Sequence, residues 1–312
     1  MDLALTLFLL LSFAVWLWLL RVLKPNPGPR KSANFPPGPK PLPIIGNILE
    51  LGEKPHQSLA KLSKIYGPLM SLKLGTMTAV VVSSPEIAKI VLQKYDQLFS
   101  SRTQVDAIRP LDHHKHSVAW LPVDNQWRKL RKVCKENMFS VHSLDGSQGL
   151  RREKLRNLRD YVDECCVNGQ AVDIGGAAFT TTLNLLSATL FSMEFATLGS
   201  ADDSTSQEFR DIVVGITSLI GKPNLADYFP RLRLVDPQGI FRKNTFYFNK
   251  CFAIFDEIIR QRLQNSDSST PKNDMLEALL EINQKNQSEL SLHDINHLLL
   301  KAIPLKALPV KL

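Results

Sequence analysis

The stretch NQWRKLRKVCKENMFS, from Asn125 to Ser140, has the pattern of an amphipathic helix with two different faces. At about 100° per residue, one face is apolar and consists of Trp127, Leu130, Cys134 and Met138. The adjacent face is basic and consists of Arg128, Lys132 and Lys135. Arg131 falls between the two faces, where a guanidinium can reach a buried anion. The alternative is a surface helix whose basic residues are solvated and whose Arg131 extends along the apolar edge.

Helical patterns also dominate the chain on the C-terminal side of this stretch. Apolar residues recur with helical spacing over residues 150–166, 176–192, 206–220, 238–264 and 274–286. A further helix begins at SLHDINHLLL, from Ser291 to Leu300, where Ser291 and Asp294 resemble a capping box. The sequence therefore predicts a mainly α-helical fold.

A small β-sheet is predicted on the N-terminal side. LMSLKL, from Leu69 to Leu74, and AVVV, from Ala79 to Val82, read as two strands that turn near Gly75. A helix from His56 to Tyr66 precedes them. Another helix follows them as far as Lys94, with Ser84 as its N-cap.

The first residues form an apolar segment from Leu3 to Leu20 that contains no charged residue. A helix of about 20 residues is enough to cross roughly 30 Å of hydrocarbon. Trp16 and Trp18 lie near its end, and Arg21 and Lys24 follow, so residues 1–24 are predicted to be a membrane anchor with the body on the cytosolic side. The alternative is a cleaved signal peptide, but the acidic start and long apolar core disfavour it.

Prolines recur over residues 25–47 and culminate in PPGPKPLPIIGN, from Pro36 to Asn47. Such a composition favours an extended, stiff chain. We therefore expect residues 25–47 to form a spacer or hinge between the anchor and the body.

Composition limits the functional classes. The 312 residues carry a net charge of +8 and are 44% hydrophobic, which suits an ordinary globular body. The chain has no zinc-finger spacing, RNA-binding aromatic motif or basic low-complexity tail, so nucleic acid is not an expected partner. The positive charge fits anionic lipid or an acidic protein partner instead. Four cysteines form no disulfide framework, which agrees with a reducing compartment.

The order of an anchor, a proline-rich segment, a strand pair and a Trp-x-x-x-Arg helix resembles a microsomal cytochrome P-450, a haem-thiolate monooxygenase. The resemblance implies that residues 48–300 form the N-terminal part of that fold and that the protein lies in the endoplasmic reticulum membrane. It also implies that Trp127 and Arg131 contact a haem propionate. By the same resemblance, the docking face for NADPH-cytochrome P-450 reductase comprises Arg128, Lys132 and Lys135.

Two longer segments, beginning DAIRPLDHHKHSVAWLP at Asp106 and KPNLADYFPRLRL at Lys222, are similar to plant geraniol hydroxylase-like members of the family, which act on small terpenoids. That similarity implies that the loop Ser101–Val123 lines the substrate cavity, with apolar contacts from Ile108, Leu111, Val118 and Ala119. A second set of contacts would come from the helix Phe209–Ile220. The alternative is that these apolar residues simply pack in the core.

Two further features of the sequence bear on metal and haem binding. The DHHKH motif, Asp112–His116, has no further ligand spacing that completes a metal site, so no metal is predicted there. Haem iron in this family needs a cysteine within Phe-x-x-Gly-x-Arg-x-Cys. None of Cys134, Cys165, Cys166 and Cys251 has that context.

The resemblance ends near Leu300 and is followed by the unrelated residues 301–312, KAIPLKALPVKL. The oxygen-handling Ala-Gly-x-Asp-Thr motif is absent. Two Glu-x-x-Arg matches, Glu153 with Arg156 and Glu257 with Arg260, are expected to be surface pairs.

We therefore expect a truncated family member that is catalytically inactive and does not stably bind haem. The alternatives are an anchored, non-catalytic fragment that binds the reductase or a full-length relative, and an artefact of gene annotation.

Overall fold

The structure is a computed structural model that describes residues 10, 12–13, 35–195, 204–264, 274–286 and 289–302. The predicted membrane anchor therefore lies outside the described residues except for positions 10, 12 and 13. Residues 25–34 of the predicted spacer and 303–312 of the tail also lie outside them.

The described chain is mainly helical with one two-stranded sheet, in agreement with the predicted fold class. The first elements, in chain order, are α1 Ile48–Leu51, α2 Pro55–Tyr66, β1 Leu69–Leu74, β2 Met77–Val82, α3 Pro85–Lys89 continued by a π-turn Ile90–Lys94, α4 Asp96–Phe99, and the 3₁₀ turns Asp106–Ile108 and Pro110–Asp112. They are followed by α5 His113–His116, α6 Asn125–Val133 continued by a π-turn Cys134–Met138, α7 Val141–Gly146, α8 Gln148–Val167 and α9 Ile174–Phe191. The last are α10 Ser204–Ile220, α11 Leu225–Tyr228, the 3₁₀ turn Pro230–Leu234, α12 Ile240–Gln264, α13 Met275–Lys285 and α14 Leu292–Ala302.

The described residues fall into two compact units, a division that the sequence did not predict. One unit draws on Met1–Ser100 and Pro223–Ile240, and the other on Ser101–Lys222 and Phe241–Leu312. The first is discontinuous because its second segment returns to the turn of the sheet. There, the backbone N–H and hydroxyl of Thr76 both donate to the carbonyl of Tyr228, at 3.0 and 2.8 Å.

In this first unit, β1 and β2 pair antiparallel with Leu69 opposite Val82 and Leu74 opposite Met77. Alternate residues of β1, namely Met70, Leu72 and Leu74, are buried, as expected for a strand with one covered face. Gly75 forms the turn with φ of +59°, and a Cβ there would collide with the carbonyl of Tyr228 and the ring of Phe229. The predicted turn near Gly75 is confirmed.

The proline-rich residues 36–47 belong to this unit. The Ser71 N–H donates to the carbonyl of Pro37 at 3.0 Å, and its hydroxyl donates to that of Pro36 at 2.6 Å. Asn47 and Lys73 exchange hydrogen bonds, with Lys73 N–H donating to Asn47 Oδ1 at 2.8 Å. Proline lacks an N–H but keeps its carbonyl, so this segment can still satisfy the open edge of β1. Residues 36–47 therefore contact the sheet, and the spacer or hinge over residues 25–47 stays a prediction.

The second unit contains the main hydrophobic core. Its fully buried side chains include Leu130, Leu183, Phe191, Phe209, Phe248 and Phe255. α9 is apolar and long enough to cross a membrane by length and composition, and half of it is buried within the protein. Core helices of soluble proteins have the same composition, so α9 by itself is weak evidence for a membrane span.

A buried ion-pair network connects three helices in this unit. Arg262 on α12 contacts Asp274 Oδ2 at 2.8 Å and Glu277 Oε2 at 2.9 Å, and it also donates to the carbonyl of Phe191 at 3.0 Å. The Ser192 hydroxyl donates to Asp274 at 2.7 Å. The Asp274 side chain is 2% exposed, so this carboxylate depends on its partners for solvation.

Candidate functional site

The helix α6 and its π-turn have the apolar face that their sequence predicts. Asp124 caps the helix by accepting a hydrogen bond from Trp127 N–H at 2.8 Å. Leu130, Val133 and Cys134 are buried in the core, and Trp127 and Met138 pack against it while remaining half-buried. The π-turn begins at Cys134 and adds a residue to the last turn, which keeps Met138 against the core.

Trp127 connects α6 to the loop that precedes it through a hydrogen bond. Its indole Nε1–H donates to the carbonyl of Val118 at 3.1 Å. Arg131, one turn further along, is exposed, and its side chain makes no hydrogen bond or ion pair within the described part of the chain. The two predicted propionate contacts therefore differ. Arg131 can offer its full charge to an anion, whereas the only side-chain donor of Trp127 is already used.

The basic face is open to solvent. Arg128, Lys132 and Lys135 are all exposed, and Arg128 Nη1 donates to Asn125 Oδ1 at 3.2 Å. Neighbouring Leu130 and Val133 are buried, so the helix separates apolar packing from charge within two turns. A surface of this kind suits an acidic protein partner or anionic lipid.

The predicted substrate loop is anchored in the unit at several points. Ile108 and Val118 are buried, Ala119 is half-buried, and Leu111 is 36% exposed. Asn244 on α12 donates from Nδ2 to the carbonyl of Ala107, and both residues are buried. Leu111 and Asp112 have φ of 51° and 56°, a left-handed conformation that is uncommon outside glycine.

The second predicted set of substrate contacts, on α10, packs inward. Phe209, Ile212, Val213 and Ile216 are buried within the main core. Val118 belongs to the same core. This packing favours the core interpretation for these residues over direct contact with a substrate.

Four histidines from two distant segments lie together, and we refer to His113, His116, His293 and His297 as the histidine cluster. His113 Nδ1 lies 2.8 Å from His297 Nδ1, and His293 Nε2 lies 3.1 Å from His297 Nε2. The rings of His116 and His297 are stacked at 5.0 Å with an interplanar angle of 10°. His297 is fully buried and also meets the ring of Phe252 edge-on.

Asp294 completes the polar surroundings of the histidine cluster. Its Oδ1 accepts from His116 Nδ1 at 3.0 Å and from Gln126 Nε2 at 3.2 Å. Its Oδ2 accepts from Ser291, whose hydroxyl in turn accepts from Asp294 N–H at 3.1 Å. The predicted capping box is therefore confirmed, and the same carboxylate joins α14 to the DHHKH segment.

Burial sets the protonation of these groups. Burial lowers the pKa of His297 to about 2, and the neighbouring His113 and His293 add to the shift. Desolvation also lowers the pKa of His293, with a contribution from His116. For Asp294, burial acts to raise the pKa, but hydrogen bonds from His116 and Ser291 outweigh it and the pKa is lowered.

The sequence carries only an incomplete signal for this cluster. The DHHKH motif is visible as a group of histidines, but no partner for it lies near in sequence. His293 and His297 are four residues apart and so share one face of α14, which is the signal that could identify them as partners. Among the described residues, no group of three or more His, Cys, Asp or Glu is arranged to hold a metal ion.

The four cysteines do not fit a thiolate ligand for haem iron. Cys134, Cys165 and Cys251 are buried, and burial raises the pKa of the Cys251 thiol well above its usual range. Cys166 is exposed on α8, a charged surface helix. An iron-bound cysteine must be a thiolate that faces the metal. The three buried cysteines therefore do not suit an iron-bound thiolate, whereas Arg131 offers a cation for a propionate.

The two Glu-x-x-Arg matches behave differently. Glu257 and Arg260 form an exposed ion pair at 2.5 Å, as predicted. Glu153 instead contacts Lys154, at 2.9 Å, and Lys154 also bonds to Glu194. Lys154 is the better partner because its buried ammonium needs two acceptors, whereas Arg156 is exposed to water.

Comparison with known proteins gives consistent matches. The family model described as Cytochrome P450 matches residues 36–303. Cytochrome P450 76T24 from Catharanthus roseus is 52% identical over 96% of this chain and 60% of its own length. Ferruginol synthase from Salvia miltiorrhiza is 48% identical over 87% of this chain and 55% of its own length. A protein named Inactive cytochrome P450 76AD1, from Beta vulgaris, is 47% identical over 93% and 69%, respectively.

The first two of these relatives are considerably longer than this chain. Both extend well beyond the matched region, so the chain spans little more than half of their length.

Proposed function

The chain belongs to the cytochrome P450 family, and on that premise we propose that its residues form the substrate and reductase side of a plant monooxygenase that hydroxylates a small terpenoid such as geraniol. The observation that carries the proposal is the continuous family match over residues 36–303. The terpenoid class rests on the resemblance of the segments that begin at Asp106 and Lys222 to geraniol hydroxylase-like enzymes.

Within such an enzyme, the residues of this chain would bind and orient rather than supply the oxidant. The family's haem provides the oxygen chemistry. Arg131 is the residue best suited to a propionate, because it is cationic, exposed and unpaired within the described chain. Trp127 would support it by holding α6 to the loop through the Val118 carbonyl. Leu111 and Ala119, the less buried members of the predicted substrate set, remain the candidates for contact with substrate.

We further propose that the 312 residues alone are catalytically inactive and do not stably bind haem. The support is chemical, because no cysteine here has the haem-ligand context and three of the four are buried in the structure. The test is to express the 312-residue chain with haem supplied and to record the reduced carbon monoxide difference spectrum. We expect no thiolate-type Soret band; such a band would overturn the proposal.

A second candidate function is non-catalytic binding to the reductase, or to a full-length relative, at the membrane. It is favoured by the exposed charges of Arg128, Lys132 and Lys135 beside a well-packed apolar face. Charge-assisted contacts to an acidic partner would give a binding rate that falls as salt is added.

Reversing these three charges to Glu tests this candidate. We expect binding to the purified reductase to fall at least tenfold at low salt, because rim charges act mainly on the association rate. The matched control reverses Arg152, Arg156 and Arg159, which are also exposed, on α8. Equal losses in both variants would indicate nonspecific charge attraction and contradict a defined docking face.

For location, we propose the endoplasmic reticulum membrane, with residues 1–24 as a single-pass anchor and the body in the cytosol. The uncharged segment Leu3–Leu20 and the basic residues that come after it support this proposal. Protease digestion of sealed microsomes tests it. Cytosolic orientation predicts digestion of the body without detergent, and protection of the body would contradict it.

A further inference from the structure

The histidine cluster has an unusual hydrogen-bond requirement. His297 uses Nδ1 toward His113 and Nε2 toward His293, so the three rings form a line with His297 in the middle, and it also hydrogen-bonds the backbone of Leu111. Each nitrogen–nitrogen contact needs one proton between the two rings, because one imidazole nitrogen must donate and the other accept. The line runs from the exposed His293 through the fully buried His297 to the buried His113.

The number of protons that this line can hold is limited. Three neutral rings carry one proton each, and two of those protons occupy the two contacts. One extra proton can be placed on an outer nitrogen with both contacts intact. A second extra proton must place two N–H groups against each other in one of the contacts. That contact then breaks, and two cationic rings lie close together in a poorly solvated place.

Of the two contacts that His297 makes with other histidines, the contact with His113 on the loop is the weaker. His113 comes directly after Leu111 and Asp112, whose positive φ values mark a strained backbone that persists only while neighbouring contacts hold it. His293, by contrast, shares a regular helix with His297. When one contact must break, release of the loop also relieves strain, so the contact between His113 and His297 is the one that opens.

The short helix α5 has a second contact with α14, between His116 and Asp294, and acid is expected to strengthen this contact. His116 Nδ1 faces Asp294 Oδ1 at 3.0 Å, and a protonated imidazole binds a carboxylate more tightly than a neutral one. The remaining titratable and charged groups near the cluster are Arg109, Asp112, His114 and Lys115 on the loop side and Asp256 on α12. Asp256 is already bonded to Asn296 Nδ2 at 2.6 Å.

From this geometry we infer that the histidine cluster is an acid-sensitive pivot: added protons release His113 from His297 while His116 stays on Asp294, so the segment 106–113 turns away from α14 about the hydrogen bond that holds Ala107 to Asn244. The segment carries Ile108 and Leu111, two of the predicted substrate contacts. His297 is a positioning residue for this loop. The inference goes beyond the proposed function and does not depend on it.

Amide hydrogen exchange of the full 312-residue chain tests the pivot. Protection of residues 106–113 is measured between about pH 7 and pH 4.5, after correction for the intrinsic rate, with α8 as the internal reference. Because the open form binds one more proton than the closed form, we expect opening to rise as pH falls below about 6 and to approach a tenfold increase per pH unit by about pH 5. Residues near His116 remain protected. A flat profile over 106–113 would overturn the inference.

Three variants sharpen the test. His297→Phe keeps a ring of similar size and removes both nitrogen contacts, so the acid dependence of 106–113 is lost, whatever its absolute protection. His293→Phe keeps the contact between His113 and His297 and retains the acid dependence. His56→Gln changes an exposed histidine of the other unit and leaves the profile unchanged. Retention of the full acid dependence in His297→Phe would overturn the inference, and the wild-type profile decides the matter if that variant does not fold.

Discussion

The Arg262 network and the histidine cluster both join distant segments of the same unit, but they do so with opposite electrostatics. Arg262 meets Asp274 and Glu277 as charged groups at 2.8 and 2.9 Å. His297, whose pKa is lowered by burial, lies 2.8 Å from His113 and 3.1 Å from His293. The contacts of Arg262 persist as long as Asp274 and Glu277 are ionised. The contacts of His297 persist only while the pH is high enough to keep extra protons off the rings. The unit therefore contains one cross-link that is insensitive to mild acid and one that is not.

The largest expected effect comes from breaking the charged cross-link. Arg262→Met leaves Asp274, which is 2% exposed, without its counter-ion. Removal of one partner of a buried pair costs about 3–5 kcal/mol. We expect the free energy of unfolding, measured by urea denaturation, to fall by that amount.

The control for this variant lies two residues away on the same helix. Arg260→Met breaks the exposed pair with Glu257 and is expected to cost less than about 1 kcal/mol. A similar loss of unfolding free energy in both variants would mean that burial of the Arg262 network adds nothing to stability.

Acid is expected to lower the stability that buried, neutral His297 contributes. The pKa of His297 is lowered to about 2 in the folded chain. In the unfolded chain it returns to about 6.5. The unfolded state therefore binds an extra proton below about pH 6.5, so the stabilisation is complete above that pH and is lost as pH falls. We expect a loss of about 1.4 kcal/mol per pH unit from His297.

Denaturation curves at pH 7.5, 6.5 and 5.5 measure this loss. His297→Phe removes the titrating group, so from pH 6.5 to pH 5.5 its free energy of unfolding is expected to fall by about 1 kcal/mol less than that of the wild type. Wild-type stability that stays constant through this range would contradict burial of a neutral His297.

A smaller effect is expected at the start of α14, where the capping box holds Asp294 in place. Ser291→Ala removes the hydroxyl that accepts from Asp294 N–H and donates to its carboxylate. Loss of an N-cap costs about 1 kcal/mol. Ser63→Ala, which removes a hydroxyl within α2, is the control and changes stability by less than about 0.5 kcal/mol. Equal effects would mean that the box is not stabilising.

The smallest effect on stability is expected on the basic face of α6. Arg128, Lys132 and Lys135 are exposed, so their reversal to Glu changes the free energy of unfolding by about 0.5 kcal/mol or less. Thermal denaturation of that variant checks this expectation. A large loss would mean that the face packs within the chain and is not open to a partner.

The features that the sequence predicts correctly are those that depend on short-range interactions. Helical and strand periods depend on neighbours a few residues apart, and so does the capping box of Ser291 and Asp294, which the structure confirms. The turn at Gly75 is predictable for the same reason. Each of these features depends on residues that are close together in the sequence.

Long-range partners could not be predicted in the same way. His113 and His297 are separated by 184 positions, and no local pattern marks them as partners. Residues 42–46 of the proline-rich segment turn back on themselves through a bridge between Leu42 and Gly46. Composition reveals neither this turn nor the hydrogen bonds from the segment to β1. Arg131 lies at the edge of the apolar face as predicted, and its contact with a propionate stays a prediction.

The neutral histidine cross-link is tested most directly by ¹⁵N NMR of the ring nitrogens of His113, His293 and His297 from pH 8 to pH 4. We predict that His297 stays neutral to below pH 5 while His113 gains its proton together with loss of its coupling to His297. Independent titration of all three rings near pH 6.5, with the segment 106–113 unchanged, would contradict the cross-link.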